Sequence, residues 1–273
     1  QYEVEKDFFP GSRKKANFLT ALARELLLKF SNLTKLNYLN IAISFFNSLN
    51  QRHVQIFLHD QPQARIISDF GWDGAVKIPT CRGNCFADWF GVVEANLGVN
   101  KANYFIKRTS TMVISFDNNK VERFLSVSYV NSASSLLGQT GSYKAYVRIL
   151  IPQPSEVLQM ELVKGNEKDL LQPEITFTQG RQEVGILINI DSGKTRTLNV
   201  SWVGPTNLDF NLPGIYTLNW RKQPGTKEDP AVVRFFFPKN LKTYAKPSFS
   251  LTGTTSKGYN FFLSEDLNSR VSW

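Results

Sequence analysis

Cys81 and Cys85 bracket the segment TCRGNC with three residues between them. Zinc would need two further ligands, and the only histidines, His53 and His59, stand upstream of the cysteines and six residues apart. A redox dithiol usually spaces its cysteines by two and sits at a helix start. A small disulfide across the Gly-Asn turn fits this spacing better than a metal site or two free thiols. Such a disulfide implies an oxidising, extracytoplasmic setting. No metal and no other cofactor is expected.

Other candidate groups yield simpler readings. If RHVQIFLHD is a strand, His53 and His59 share a face but lie roughly 20 Å apart at about 3.3 Å per residue, too far to ligate one metal. Each reads as a structural or surface histidine. Asp69, Asp73, Asp88 and Glu94 cluster in sequence and could supply an acid/base pair or hold a cation. Their spacing matches no known loop, so solvated carboxylates and helix caps are the expectation. The segment Asp191-Ser192-Gly193-Lys194-Thr195 ends like a phosphate-binding loop, yet Ile188 stands where a glycine is required and no helix follows. It reads as a hairpin turn, and Gln223-Pro224-Gly225-Thr226 as another turn between strands.

The most informative stretch is WFGVVEANLGVNKANYFIKR, residues 89–108, where helical periodicity gives way to alternation. Around Gly98 it gathers Glu94, Asn96, Asn100, Lys101 and Asn103. Asparagine and glycine tolerate tight and left-handed turns, which favours an architectural role. A polar pocket for a phosphate or sugar is the competing reading, with Lys101, Lys107 and Arg108 supplying charge. Its binding residues would be Glu94, Asn96, Asn100, Lys101, Lys107 and Arg108. No catalytic residue is assigned.

These residues must be held by the surrounding elements. Leu19, Leu22, Ala23, Leu26, Leu27 and Phe30 recur at helical spacing after Gly11-Ser12, and Leu36, Leu39, Ile43, Phe46 and Leu49 do so after a cap at Ser31 or Asn32. The two segments predict an antiparallel helix pair. A strand over 53–59, a short helix opened by Asp60 and Pro62 and closed by Gly71, a brief strand over 75–78 and a strand over WFGVVEAN follow. From residue 103 onward, strands recur every 10 to 15 residues between Gly, Pro and Asn turns, beginning with a hairpin across Asp117-Asn118-Asn119-Lys120. The expected class is α+β. Residues 1–100 would form a helical α/β portion closing an α/β domain, and residues 101–273 an antiparallel, Ig-like β-sandwich.

Composition sets outer limits. The chain has 273 residues, 42% hydrophobic and 20% charged, which is ample for one large or two ordinary globular domains. Nothing approaches 18 consecutive apolar residues. The start QYEVEKDFFPGSRKK lacks the form of a signal peptide and does not begin with Met, so a processed or excised piece is expected, with any export signal or anchor outside it. The net charge of +9 makes a polyanion a plausible neighbour, although only Arg13-Lys14-Lys15 forms a basic run and solubility alone accounts for scattered charge.

The motif EANLGVNKANYFIKR, with GWDG at 71–74, GSYKAYVRILIP at 141–152 and the QPGT turn, resembles the bacterial family catalogued as domain of unknown function 4012. The likeness runs from the helix pair onward. It implies a cell-envelope protein with an N-terminal membrane anchor and a preceding α/β region similar to wall-polymer ligases of the LytR-CpsA-Psr type. That region is not in this chain, so the resemblance implies a C-terminal part and supplies no catalytic residues.

Two functions are therefore expected to compete. One is a non-catalytic extracytoplasmic module of the cell envelope or surface, meeting an anionic wall polymer or an envelope protein and no specific nucleic acid. The other is the C-terminal part of a glycopolymer transferase acting on a lipid-linked phosphate.

Overall fold

Alternation of buried and exposed side chains along the described strands builds two large sheets sharing one apolar core. A computed structural model describes residues 13–98, 100–117, 120–133, 141–238, 241–253 and 256–273. The chain divides into two units, Gln1–Ser48 and Leu49–Trp273. The expected helix start at Gly11-Ser12 and the hairpin residues Asn118-Asn119 lie outside the described residues.

In the first unit, helix α1 (Arg13–Ser31) is followed by α2 (Lys35–Asn50), which runs just past the unit boundary. Thr34 accepts the Asn37 N–H at 3.3 Å, so it fills the capping role expected of Ser31 or Asn32. Helix α3 (Gln61–Asp69), in the second unit, carries a proline in its first turn, and Gly71 follows it at φ +74°. Segments 53–59 and 75–78 form no strands. Ile56 N–H donates instead to the carbonyl of Trp72 at 2.9 Å, one isolated bond rather than a ladder. No described helix is long and apolar enough to cross a membrane.

One sheet has seven strands, in the order β12 (Tyr244–Lys246), β15 (Leu267–Ser272), β10 (Ile215–Arg221), β1 (Cys85–Asn96), β4 (Tyr143–Pro152), β8 (Arg181–Ile190) and β7 (Glu174–Thr178). The other has eight, in the order β13 (Leu251–Thr252), β14 (Lys257–Leu263), β11 (Asp229–Phe236), β2 (Ile106–Asp117), β3 (Lys120–Asn131), β9 (Thr195–Pro205), β5 (Glu156–Lys164) and β6 (Glu167–Leu170). The hairpin expected after residue 103 is present as β2 and β3, in register from Ile106 opposite Asn131 to Asp117 opposite Lys120. The turn at 191–194 carries Gly193 at φ +72°, but it joins β8 to β9, which lie in different sheets. It is therefore a sheet-to-sheet connection and not a hairpin.

Two further departures bear on function. The sheets are not wholly antiparallel, because β1 pairs with β10 and β2 pairs with β11 in parallel. Moreover β1, expected to close the N-terminal portion, lies well inside the seven-stranded sheet. The expected boundary at residue 100 thus falls within the larger unit, and residues 89–108 carry the chain from one sheet to the other.

Aromatic packing joins the layers. Phe90 of β1 meets Trp220 of β10 at 4.5 Å and Trp202 of β9, in the other sheet, at 6.2 Å, and both tryptophans are fully buried. Side chains of this size each bury about 150–250 Å² and dominate a core.

Candidate functional site

Parallel pairing determines where the site lies. Since β1 runs alongside β10 and β2 alongside β11, the β1–β2 and β10–β11 connections emerge at the same end of the sheets. They form facing walls of a cleft of about 740 Å³. One wall holds the 3₁₀ turn Ala102–Phe105, and the other holds residues 223–230.

The floor is a buried ion pair. Arg108 of β2 donates from Nε to Glu94 Oε1 at 2.9 Å and from Nη2 to Glu94 Oε2 at 2.7 Å, a bidentate pair linking the two sheets. Tyr143 of β4 donates to the same carboxylate at 2.6 Å. The Glu94 side chain is only 3% exposed and that of Arg108 13%. Burial opposes the charged guanidinium, but the Glu94 carboxylate more than offsets it and holds the Arg108 pKa above its usual value. Burial and then the negative charge of Glu94 push the Tyr129 and Tyr143 phenols above their ordinary range, so both stay protonated.

The second wall is bolted to this floor. Gln223 accepts the Glu94 backbone N–H at 2.8 Å and donates to its carbonyl at 2.9 Å, standing in for a neighbouring strand. The turn itself carries Gly225 at φ +75° after Pro224, the pattern of a type II turn. Behind it Lys222 donates from Nζ to the carbonyls of Gln51, Gln223 and Thr226, at 3.1, 3.3 and 2.8 Å. Asp266 fastens the same corner, accepting from Arg221, from Arg52 and from the Lys222 backbone.

A second buried pair lies deeper on the same face of β1. Arg123 of β3 donates to Asp88 at 2.7 Å, each side chain is 2% exposed, and the Tyr216 hydroxyl donates to the same carboxylate oxygen. Burial and then Asp88 push the Tyr216 phenol well above its ordinary range. The expectation of solvated carboxylates is therefore corrected at two of the four positions. Asp88 and Glu94 are buried and paired across the sheets, while Asp69 is exposed and Asp73 partly so.

Of the six candidate binding residues, Glu94, Asn96, Lys107 and Arg108 line the cleft, and Asn100 and Lys101 do not. Asn100 is spent on backbone: its amide donates to the Ser142 carbonyl at 3.0 Å, and its oxygen accepts the Ala102 N–H at 3.1 Å. Asn96 likewise caps the turn through Gly98 N–H at 3.0 Å and the Asn100 carbonyl at 2.8 Å. Sequence reasoning missed Tyr104, Tyr143, Gln223, Lys227, Asp229 and Phe262. Only the QPGT turn signalled the second wall, and nothing in it indicated which connection it would face.

Asp229 gives a pH-dependent prediction. Its carboxyl pKa is raised, first by burial, with Arg108 pulling the other way and Glu94 adding to the rise. The folded state thus favours the protonated form. Stability is lost as pH rises from the ordinary carboxylate value through the raised one, and the deficit persists above it. Asp229→Asn should therefore raise the melting temperature at pH 7 and leave it unchanged near pH 3. A lower melting temperature at pH 7 would show instead that the carboxylate is held by Arg108, Lys222 and Lys227.

No family model and no curated protein matches the chain. Among solved structures, a candidate nutrient binding protein from Legionella pneumophila subsp. pneumophila str. Philadelphia 1 is similar over 67% of this chain and 70% of its own, with 10% identity and a TM-score of 0.41. An M1 zinc metallopeptidase from Deinococcus radiodurans is similar over 61% of this chain, with 11% identity and a TM-score of 0.34. The chain spans 42% of that peptidase's length.

Proposed function

We propose that the protein is a non-catalytic, extracytoplasmic binding module of the cell envelope, with an Ig-like pair of sheets presenting the cleft at one end. The observation that carries this reading is the cleft itself. Its lining mixes polar and apolar side chains, yet its buried charges, Glu94 and Arg108, are committed to each other and to holding the sheets together. Groups so committed serve as scaffold, and the accessible wall residues are left to meet a ligand. The Cys81–Cys85 disulfide supports an oxidising compartment. The resemblance carried by EANLGVNKANYFIKR supports the envelope, and the net charge of +9 supports an anionic wall polymer as partner.

The test is retention on immobilised lipoteichoic acid. Binding is expected at about 0.01 M salt and should be lost by about 1 M, where the screening length falls from about 30 Å to about 3 Å. No retention at low salt removes the polymer as partner. The native protein should also resist alkylation until reduced, and labelling of both cysteines without reductant would remove the compartment assignment.

A further inference from the structure

We infer that the cleft recognises the sugar rings of a glycan, and not its charged groups. This rests on the binding-module reading and narrows its ligand. The cleft is lined by Lys107, Arg108 and Lys227 against Glu94, Glu228 and Asp229, so its formal charges balance. The cation nearest the floor, Arg108, is already consumed by Glu94 in a bidentate pair. The Lys227 ammonium lies 4.1 Å from the centre of the Tyr104 ring, a cation–π contact joining one wall to the other. A phosphate entering here meets two engaged cations, the exposed Lys107 and an equal number of carboxylates. Any attraction of the basic protein for a polyanion is then left to the net charge of +9 outside the cleft.

The cleft does offer rings. Tyr104 is 59% exposed and Phe262 65% exposed, although large aromatics normally bury most of their area. Lys227 lies over one face of Tyr104 and Phe105 meets the ring in a T-shaped contact at 5.3 Å, yet more than half of the residue stays exposed to a ligand. A pyranose ring presents a patch of C–H bonds on each face, slightly positive and apolar, and an aromatic face with its negative quadrupole complements such a patch. Around the two rings stand Asn103, Thr109 and Glu228, exposed amide, hydroxyl and carboxylate groups suited to sugar hydroxyls. The volume of about 740 Å³ lies within the range of about 300–1,000 Å³ typical of small-ligand sites.

The experiment is titration of the whole chain with chitohexaose, an uncharged chain of N-acetylated pyranoses, followed by calorimetry and by chemical shifts of the cleft residues. Binding is expected, changing less than twofold between about 0.01 and 1 M salt because no charge is screened. Tyr104→Ala and Phe262→Ala should each weaken it about tenfold, as loss of one ring contact would. Tyr104→Phe, which keeps the ring, should bind like the parent. Both aromatics are exposed, so the melting temperature should not move, and an alanine variant that does unfold is replaced by Tyr104→Leu or Phe262→Leu, which keeps apolar bulk, removes the ring and should weaken binding to the same extent. If lipoteichoic acid is retained while chitohexaose is not bound, the sugar-ring inference falls and the binding module stands. If chitohexaose binds unchanged after both alanine substitutions, the cleft is not its site. If neither ligand binds, both readings fall.

Discussion

Asp88→Asn is expected to destabilise the protein by about 3–5 kcal/mol, the range for removing one partner of a buried ion pair. Arg123 would remain charged, 2% exposed, among side chains such as Val121 and Leu125 that are fully buried, with its Nη2 already lacking a hydrogen bond. Tyr216 would lose a charged acceptor for a neutral one. Since a domain's total stability is about 5–15 kcal/mol, this single change should bring it close to unfolding at ambient temperature. Replacing the whole cluster by Asp88→Leu, Arg123→Met and Tyr216→Phe should recover most of the loss, because apolar groups of similar volume remove the cost of burying charge and leave no hydroxyl without its acceptor. Urea denaturation of the two variants decides the matter. A loss below about 1 kcal/mol for Asp88→Asn would mean that water reaches Arg123 and that the pair is not a buried tie.

Arg108→Met should cost about 3 kcal/mol, toward the lower end of the same range, because the cleft admits water to the stranded Glu94. Its signature differs from that of Asp88. Glu94 would keep Tyr143 as a carboxylate donor but lose the bidentate guanidinium, and the strand whose backbone Gln223 grips would be free to shift. Ligand binding in the cleft should therefore fall together with stability, whereas Asp88→Asn examined below its transition should bind normally. Arg108→Lys should rescue only in part, since an ammonium cannot reproduce the bidentate geometry. Equal binding defects in the Asp88 and Arg108 variants would show that the floor has no special role.

Much of this architecture was legible as alternation. The strand pattern of 106–131 reads inward at Ile106, Arg108, Ser110, Met112, Ile114 and Phe116 and then at Val121, Arg123, Leu125, Val127 and Tyr129. Arginines at apolar-face positions are the sequence trace of the inter-sheet pairs. So are Asp88 and Glu94, which share a face of β1 with Phe90 and Val92. A period of two puts such residues inside or demands a bulge, which the solvated-carboxylate reading overlooked. The disulfide, the residue 106–131 hairpin and α3 were legible because their signals are local. Strand partners were not, since β1 meets β10 across more than a hundred residues and no local turn signal reports parallel pairing. The failed strands over 53–59 and 75–78 show the opposite limit, where an apolar pattern existed but the Ile56–Trp72 backbone bond stands without a ladder around it.

That long-range pairing also governs how the chain can be made. As it emerges from the ribosome, β1 can acquire β4 on one side early, but its other edge stays open until residues 215–221 exist, and β2 waits similarly for β11. Synthesis thus passes through a stage in which two long apolar strands expose unpaired backbone, a hazard for association between nascent chains. A fragment ending before β10 would keep that hazard permanently, so the segment from β10 onward acts as the guard of the first strands.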